Sequence, residues 1–305
     1  MAFTRRNITV LTNTIIIITT IMEKKKTISV LRNSSAKINL FLDVISVRLD
    51  GYHEIRTIFS EIDLYDVLNF TLTKNSAIKI LANIDFVSLE KNLIYKVAIF
   101  IQKKYNVLNG AKIELQKNIP IAAGLGGGSS NAAQTILALN VIWKLNLSTI
   151  EMNSIAARFG SDINFFLSGG TALGEGRGEE IKRLDDLEIE NILLVNPGFE
   201  ISSKEAYEAV NVVKPNSNWK EFLRNKDVNF CFNKLEEGVI RLYPKISKTL
   251  NFMQENGAMK AMLSGSGATM IGFCPDRATA ENLSEYFTRK KYWNCITKTI
   301  KRSTK

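Results

Sequence analysis

The segment IPIAAGLGGGSSNAA, residues 119–133, places glycines at 124 and at 126–128 directly before an apolar helical pattern. A helix that starts in bare backbone presents unpaired N–H groups and the positive end of its dipole, and this combination binds phosphate. The loop is not a Walker A loop, because no Gly-Lys-Ser/Thr closes it, and its spacing is not that of a dinucleotide-binding turn. The sequence predicts a phosphate-binding loop of another kind, and a close crossing of two elements is the structural alternative.

A second set of polar residues lies in the segment AKINLFLDV, residues 36–44. Its apolar residues recur at every second position, which predicts a half-buried strand. Lys37 and Asn39 then lie side by side on the polar face, where they can meet a ligand. A strand face that is only solvated is the alternative.

The only histidine, His53, follows Tyr52 in the segment LDGYHE, where Asp-Gly indicates a turn. A zinc site built on several histidines is therefore excluded, and a Ser–His hydrolase is excluded unless His53 serves it. The three cysteines are widely spaced, which gives no disulfide framework and no CxxC metal site and fits a cytoplasmic protein. The alternative for His53 is a turn residue that binds nothing.

The net charge of +10 comes from the two ends of the chain. Residues 1–32 carry +5 and residues 289–305 carry +7, which leaves −2 for residues 33–288. Basic tails are usually only solvated, whereas a nucleic-acid-binding domain carries its basic residues on its body. We expect no nucleic acid partner, and a basic RNA-binding protein is the alternative from another functional class.

Residues 1–27 are interpreted as an N-terminal extension and are expected to be disordered. Their uninterrupted apolar run, Ile15–Ile18, is far too short to span a bilayer, and no signal-peptide cleavage site is visible. We therefore expect no stable membrane insertion. A membrane-associating segment is one alternative, and a protein that starts at Met22 is another.

The rest of the chain mixes strands and helices without a regular alternation, which favours an α+β fold. Helical spacing predicts helices over residues 92–106 and 130–144, and STIE at 148–151 predicts a capping box. Charged residues around 180–190 indicate a domain boundary. We place it so that residues 28–185 and 186–305 form two domains.

Three segments, in the right order, resemble the motifs of the GHMP kinases, a family named after galactose, homoserine, mevalonate and phosphomevalonate kinases. They are SSAKINLFL (34–42), the glycine segment and LSGSGATMIGF (263–273). The resemblance implies a two-domain α+β fold, with an ATP-binding N-terminal domain like the second domain of ribosomal protein S5 and a ferredoxin-like C-terminal domain. Three residues depart from the family pattern: Ser35, Ser161 and Asn164.

The resemblance also implies a role for individual residues in ATP-dependent phosphorylation of an alcohol. Asp162 would be the catalytic base and Lys37 its partner facing the γ-phosphate, with a helix-capping aspartate and a solvated lysine as the alternatives. Mg²⁺ would accompany ATP near Ser129 or Ser130, and no direct metal ligand is assigned. The residues expected to bind ATP are Pro120, Gly124, Leu125, Gly126, Gly127, Gly128, Ser129, Ser130, Asn92 and Lys117.

The triple glycine, RLDGYHEI (48–55) and GSDINFF (160–166) resemble the branch of the family in the non-mevalonate isoprenoid pathway. The acceptor of that branch is a methylerythritol that carries a cytidine diphosphate group and reacts at its 2-hydroxyl. A homoserine- or mevalonate-type acceptor is the alternative, and we expect a monomer or a homodimer. The residues that this resemblance places on the acceptor are Asn39, Tyr52, His53 and Tyr207.

Overall fold

The computed structural model describes residues 5–12, 15–22, 25–85, 88–212, 215–216 and 218–302, and for residues 5–26 it describes the backbone alone. Its strands are β1 (Arg5–Thr12), β2 (Ile15–Met22), β3 (Lys25–Val47), β4 (His53–Thr73), β5 (Ile78–Ala82), β6 (Gly110–Gln116), β7 (Thr171–Glu175), β8 (Glu180–Arg183), β9 (Ile192–Asn196), β10 (Phe232–Asn233), β11 (Lys260–Leu263), β12 (Met270–Phe273) and β13 (Trp293–Thr297). Its α-helices are α1 (Leu93–Lys104), α2 (Gly127–Ile142), α3 (Thr149–Phe159), α4 (Ser161–Ser168), α5 (Ser203–Glu208), α6 (Trp219–Asn225), α7 (Leu235–Leu242), α8 (Pro244–Glu255) and α9 (Arg277–Arg289).

Two sheets organise the described residues. The larger follows the order β1–β2–β3–β4–β6–β5, with β7 joined to β4, β8 joined to β7 and β10 joined to β3. The smaller follows β11–β12–β9–β13 and is antiparallel throughout. The chain leaves the larger sheet after Arg183 and enters the smaller one at Ile192. The boundary between residues 185 and 186 falls in this connection and stays a prediction.

Later segments of the chain return to the larger sheet and tie the two halves together. Strand β10 pairs in parallel with β3 at Phe41 and Leu42, and Thr299 forms a bridge with Ile62. A buried apolar cluster that includes Phe41, Ile58 and Ile271 joins the two sheets. Because apolar burial is the main stabilising term in folding, this contact fixes one half against the other.

Strand β3 departs from the half-buried strand predicted over residues 36–44. That prediction is wrong because both faces are covered: Lys37, Asn39 and Asp43 are 4%, 3% and 1% exposed. The later half of the chain supplies part of the cover, since a Cβ on Gly265 would lie 3.2 Å from Asn39 Oδ1 and the Asn216 N–H donates to Asp43 Oδ2 at 2.6 Å. A register shift between Asn39 and Phe41 also interrupts the alternation.

Helix ends follow the capping residues of the sequence. The side chain of Asn92 accepts the N–H of Ile94 at the start of α1, and Ser148 and Glu151 form the predicted capping box of α3. Helix α2 begins at Gly127, three residues before the predicted start, so the last glycines belong to its first turn. It packs on β3 and β4 and against α1 and α4.

The N-terminal extension differs from the disordered segment that the sequence analysis expected. Residues 5–12 and 15–22 form an antiparallel hairpin, and β2 pairs with the first eight residues of β3. The β-branched isoleucines and threonines of this segment favour strands. Residues 1–4, 13–14 and 23–24 lie outside the described residues.

Candidate active site

A cleft of about 1360 Å³ is lined by residues from both halves of the chain. Leu125 and Ser130 were predicted to bind ATP but do not line it: Leu125 is buried in the apolar cluster between the sheets, and Ser130 Oγ accepts the hydroxyl of Ser34 at 2.7 Å. The structure brings the other predicted residues together in this cleft. Those that line the cleft are Lys37, Asn39, Tyr52, His53, Asn92, Lys117, Pro120, Gly124, Gly126, Gly127, Gly128, Ser129, Asp162 and Tyr207.

The two explanations that the sequence left open for the glycine segment apply to different glycines. Gly124 and Gly126 have φ of +75° and +69°, and both lie at close crossings. A Cβ on Gly124 would lie 2.2 Å from the Ser264 carbonyl oxygen, and one on Gly126 would lie 2.9 Å from the Phe166 ring. Gly128, in contrast, has only a contact at 3.8 Å and leaves the first turn of α2 open to the cleft.

Lys37 and Asp162 meet beside this loop. The Lys37 Nζ lies 3.6 Å from Asp162 Oδ2, and it donates to Asn39 Oδ1 at 2.6 Å. The Lys37 side chain is 6% exposed and that of Asp162 is 33% exposed. The carboxylate is therefore accessible from the cleft, whereas the ammonium group that it contacts is buried. Burial lowers the pKa of Lys37, and the charge of Asp162 opposes that shift.

Asp162 is the second residue of α4 and makes no side-chain capping bond, since Gly160 occupies the N-cap position. The helix-capping alternative for this aspartate therefore has no bond to support it. Ser161, one of the departures from the family pattern, lines the cleft next to it. A second departure, Asn164, donates to the carbonyl oxygen of Asn153 at 3.1 Å and fastens α4 to α3.

Asn39 has both ends of its amide engaged inside the protein. Its Oδ1 accepts from Lys37, and its Nδ2 donates to Thr57 Oγ1 at 2.7 Å. A Cβ on Gly265 would lie 3.2 Å from Asn39 Oδ1 and 3.5 Å from Lys37 Nζ. The loop after β11 therefore reaches the buried ammonium, and Asn39 orients Lys37 in addition to lining the cleft.

Asn92 and Lys117 line the other end of the cleft, and both are held by the fold. The Asn92 side chain caps α1, while Lys117 Nζ donates to Asp66 Oδ2 at 2.7 Å and to the carbonyl oxygen of Ile119. Burial lowers the pKa of Lys117, and Asp66 opposes that shift. Asp66 is fully buried, and its other oxygen accepts two backbone N–H groups at 2.8 Å, from Asn118 and Ile119.

Asp66 was missed by sequence reasoning. The sequence did contain a hint of its role, because Asp66 lies within the β-rich segment TIFSEIDLYDVLNFTLT and a charge that is buried in a sheet needs a partner. The carboxylate supports the segment that leads from β6 into the glycine loop, and it places the Lys117 ammonium next to Gly127.

Three aromatic residues that the sequence analysis expected on the acceptor line the cleft, and that role stays a prediction: Tyr52, His53 and Tyr207. The rings of His53 and Tyr207 are 5.1 Å apart, and Tyr52 is 57% exposed. Burial, assisted by the charge of Asp162, raises the pKa of Tyr207. The Arg177 guanidinium lies 4.9 Å from the centre of the Tyr52 ring. Sequence reasoning missed Arg177, although the surrounding GEGRGEE indicates a tight turn.

Two further properties hold for the part of the chain that the structure describes. No group of three or more His, Cys, Asp or Glu side chains is arranged to hold a metal ion there. Among the same residues, no helix is both long and apolar enough to cross a membrane.

Comparison with known proteins finds two family matches that follow one another along the chain. Residues 92–170 match the N-terminal domain of the GHMP kinases, and residues 206–292 match their C-terminal domain. The 4-diphosphocytidyl-2-C-methyl-D-erythritol kinase of Clostridium perfringens is 36% identical over 277 residues, which are 87% of this chain and 96% of that protein. The enzyme of the same name from Caldicellulosiruptor saccharolyticus is 37% identical over 256 residues, 80% and 88% of the two chains.

Solved structures give the same grouping. A crystal structure of 4-(cytidine 5'-diphospho)-2C-methyl-D-erythritol kinase superposes with a TM-score of 0.76 at 29% identity, covering 88% of this chain and 99% of that one. A crystal structure of homoserine kinase from Cytophaga hutchinsonii superposes with a TM-score of 0.67 at 15% identity, covering 92% of this chain and 96% of that one. A crystal structure of mevalonate kinase from Methanococcus jannaschii superposes with a TM-score of 0.65 at 16% identity, covering 88% of this chain and 98% of that one. The last two share the fold.

Replacing Gly126 tests the role of the close crossing. Gly126→Ala is expected to lower the free energy of unfolding by about 1–3 kcal/mol, because alanine is strained at this φ. Its methyl group would also press on Phe166 and Lys37. Gly128→Ala is the matched control, since this helical glycine has space for a Cβ, and it should be neutral or stabilise by up to about 1 kcal/mol. Denaturant unfolding measures both, and equal effects would contradict the assignment.

Proposed function

The chain belongs to the GHMP kinase family, and we propose that it transfers the γ-phosphoryl group of ATP to the 2-hydroxyl of 4-diphosphocytidyl-2-C-methyl-D-erythritol. This step belongs to the non-mevalonate route to isoprenoid precursors. The observation that carries the proposal is the Lys37–Asp162 contact beside the glycine loop, in a chain 36% identical to kinases of that name. Residue roles and acceptor contacts rest on this geometry together with the family resemblance.

The proposed chemistry needs a route for the hydroxyl proton and positive charge at the transferring group. Asp162 accepts the proton of the acceptor hydroxyl as that oxygen attacks the γ-phosphorus, while the bond from the γ-phosphorus to the β–γ bridging oxygen breaks and ADP leaves. Lys37 keeps the carboxylate ionised and stabilises negative charge on the phosphoryl oxygens. Because the ammonium is buried, little water screens its field, and its interaction with developing charge is strengthened.

ATP binding is proposed to use the bare backbone at the start of α2. The N–H groups of Gly127, Gly128 and Ser129 have no partner within the first helical turn and are suited to phosphate oxygens. Asn92, Lys117 and Pro120 are proposed to surround the adenine. Lys117 would act through its apolar stem and its fixed position, since its ammonium already binds Asp66.

Mg²⁺ is proposed to enter with the nucleotide. This ion usually takes most of its ligands from phosphate and water and few from the protein. The described residues fit that mode, because they offer no group of three metal-binding side chains. Ser129 lies in the first turn of α2 and lines the cleft, and it is the hydroxyl that we propose near the ion, since Ser130 is bonded to Ser34 below the surface. When bound, the ion neutralises phosphate charge.

The acceptor is proposed to bind with its cytosine among Tyr52, His53 and Tyr207 and its sugar alcohol near Asn39 and Asp162. The contact between the rings of His53 and Tyr207 supports a shared aromatic subsite. Homoserine and mevalonate kinases share the fold at 15–16% identity, so they do not favour those acceptors here. A cytoplasmic location is proposed from the cysteine pattern, and the monomer or homodimer remains a prediction.

A panel of acceptors tests the proposed function. With ATP and Mg²⁺, coupled detection of ADP should give a kcat/KM for the cytidyl acceptor at least about 10³-fold above that for homoserine or mevalonate, because unsatisfied polar groups in the site penalise the wrong acceptor. A preference for homoserine or mevalonate would contradict the proposed acceptor. Salt-dependent RNA binding without ADP release from any acceptor would favour the RNA-binding alternative.

Substitution of Tyr207 tests the cytosine subsite. Stacking of a base on an aromatic ring contributes about 1–3 kcal/mol in nucleic-acid sites, so Tyr207→Ala should raise KM for the acceptor roughly 5- to 150-fold. KM for ATP should change by no more than a few-fold, and Tyr207→Phe, which keeps the ring, should lose less. Tyr286→Ala is the control, because this tyrosine packs on Phe252 away from the cleft. An equal rise of KM for both substrates would show a general loss of structure.

A further inference from the structure

We propose that Arg177 binds the diphosphate group of the acceptor and selects acceptors that carry one, an inference that rests on the proposed function. Arg177 lies in the turn between β7 and β8 and lines the cleft. The turn is anchored on one side to β4, where the Ile55 N–H donates to the carbonyl oxygen of Gly176 at 2.8 Å. On the other side, a Cβ on Gly178 would lie 3.9 Å from the Cβ of Ser161.

These anchors place the turn between the two ends of the acceptor site. Ile55 follows the Tyr52–His53 pair by two residues, and Ser161 directly precedes Asp162. The proposed acceptor is a chain of three parts, with cytidine at one end, the reacting alcohol at the other and the diphosphate between them. A ligand that spans the aromatic subsite and Asp162 therefore carries its diphosphate past this turn.

The guanidinium of Arg177 is held ready for an anion. Its Nε donates to Glu179 Oε1 at 3.1 Å, the Arg177 backbone N–H donates to Glu179 Oε2 at 2.6 Å, and its Cζ lies over the Tyr52 ring. Its two Nη groups make no hydrogen bond to any described residue. A guanidinium offers a planar pair of donors that matches phosphate oxygens. The Arg177 side chain is only 30% exposed, so water screens its charge less than that of a fully exposed cation.

Other cations of the cleft fit the diphosphate less well. The side chain of Lys204 is 84% exposed and its Nζ lies 3.8 Å from Glu208 Oε1, and Lys91 is also exposed, so water screens both charges strongly. Lys37 and Lys117 pair with carboxylates through their single nitrogen, whereas Arg177 pairs with Glu179 through Nε alone. Among the described cations of the cleft, Arg177 thus combines partial burial with unused donors on the acceptor side.

Binding of CDP and of cytidine to the full-length protein, measured by calorimetry, tests the inference. Arg177→Ala should weaken CDP binding at least about 10-fold, as expected for lost hydrogen bonds to a charged group, while cytidine binding changes less than about two-fold. Arg177→Lys should recover part of the CDP affinity, because it restores the charge without the planar fork. In turnover, KM for the cytidyl acceptor should rise and KM for ATP should not.

Arg56→Ala is a matched control for the loss of a stacked arginine. Arg56 also lies 4.9 Å from an aromatic ring, that of Trp219, pairs with Glu175 at 2.8 Å and is 31% exposed, but it does not line the cleft. Its substitution should leave CDP binding unchanged.

Two results would overturn the inference, and they are distinguishable. If the wild-type protein phosphorylates the cytidyl acceptor but Arg177→Ala weakens CDP and cytidine equally, or weakens neither, Arg177 does not bind the diphosphate. If the wild-type protein neither phosphorylates the cytidyl acceptor nor binds CDP, the proposed function itself fails. Thermal unfolding of each variant identifies any that loses CDP binding through loss of structure.

Discussion

The burial of one ammonium group constrains the rest of the site. Lys37 is almost fully removed from water, and an unpaired charge in that position would cost several kcal/mol. Asp162 at 3.6 Å and Asn39 at 2.6 Å compensate it. The contact with Asp162 requires that β3 and the start of α4 approach each other closely, and the carboxylate is thereby presented to the cleft at a fixed place.

That approach explains why glycines lie around Lys37. Gly126 and Gly265 leave the space that a Cβ would fill, and Gly124 lets the loop after β11 close over the glycine segment. The site is therefore completed by both halves of the chain, since Lys37 and Asp162 come from the first and Gly265 from the second. Shared apolar packing between the two sheets holds these parts in register.

Much of this arrangement was predictable from local patterns. The three motif segments, the capping of α1 and α3 and the gathering of Lys37, Asp162 and the glycine loop in one cleft agree with the sequence analysis. What local patterns could not give was the tertiary cover of β3, because Gly265 and Asn216 lie far along the chain. Asp66 and Arg177 were missed for the same reason: their roles depend on distant partners, Lys117 and Tyr52. Ser130 shows the converse case, a motif residue that turns inward to Ser34.

The central claim is that Lys37 and Asp162 act as one unit, and a double-mutant cycle on kcat tests it most directly. Lys37→Met and Asp162→Asn should each lower kcat by at least about 10²-fold, with little change in ATP affinity for the aspartate variant. In the proposed mechanism Lys37 acts partly by keeping Asp162 ionised, so the loss in the double variant should be clearly smaller than the product of the two single losses. Losses that multiply in the double variant, or a near-normal kcat for Asp162→Asn, would contradict the account.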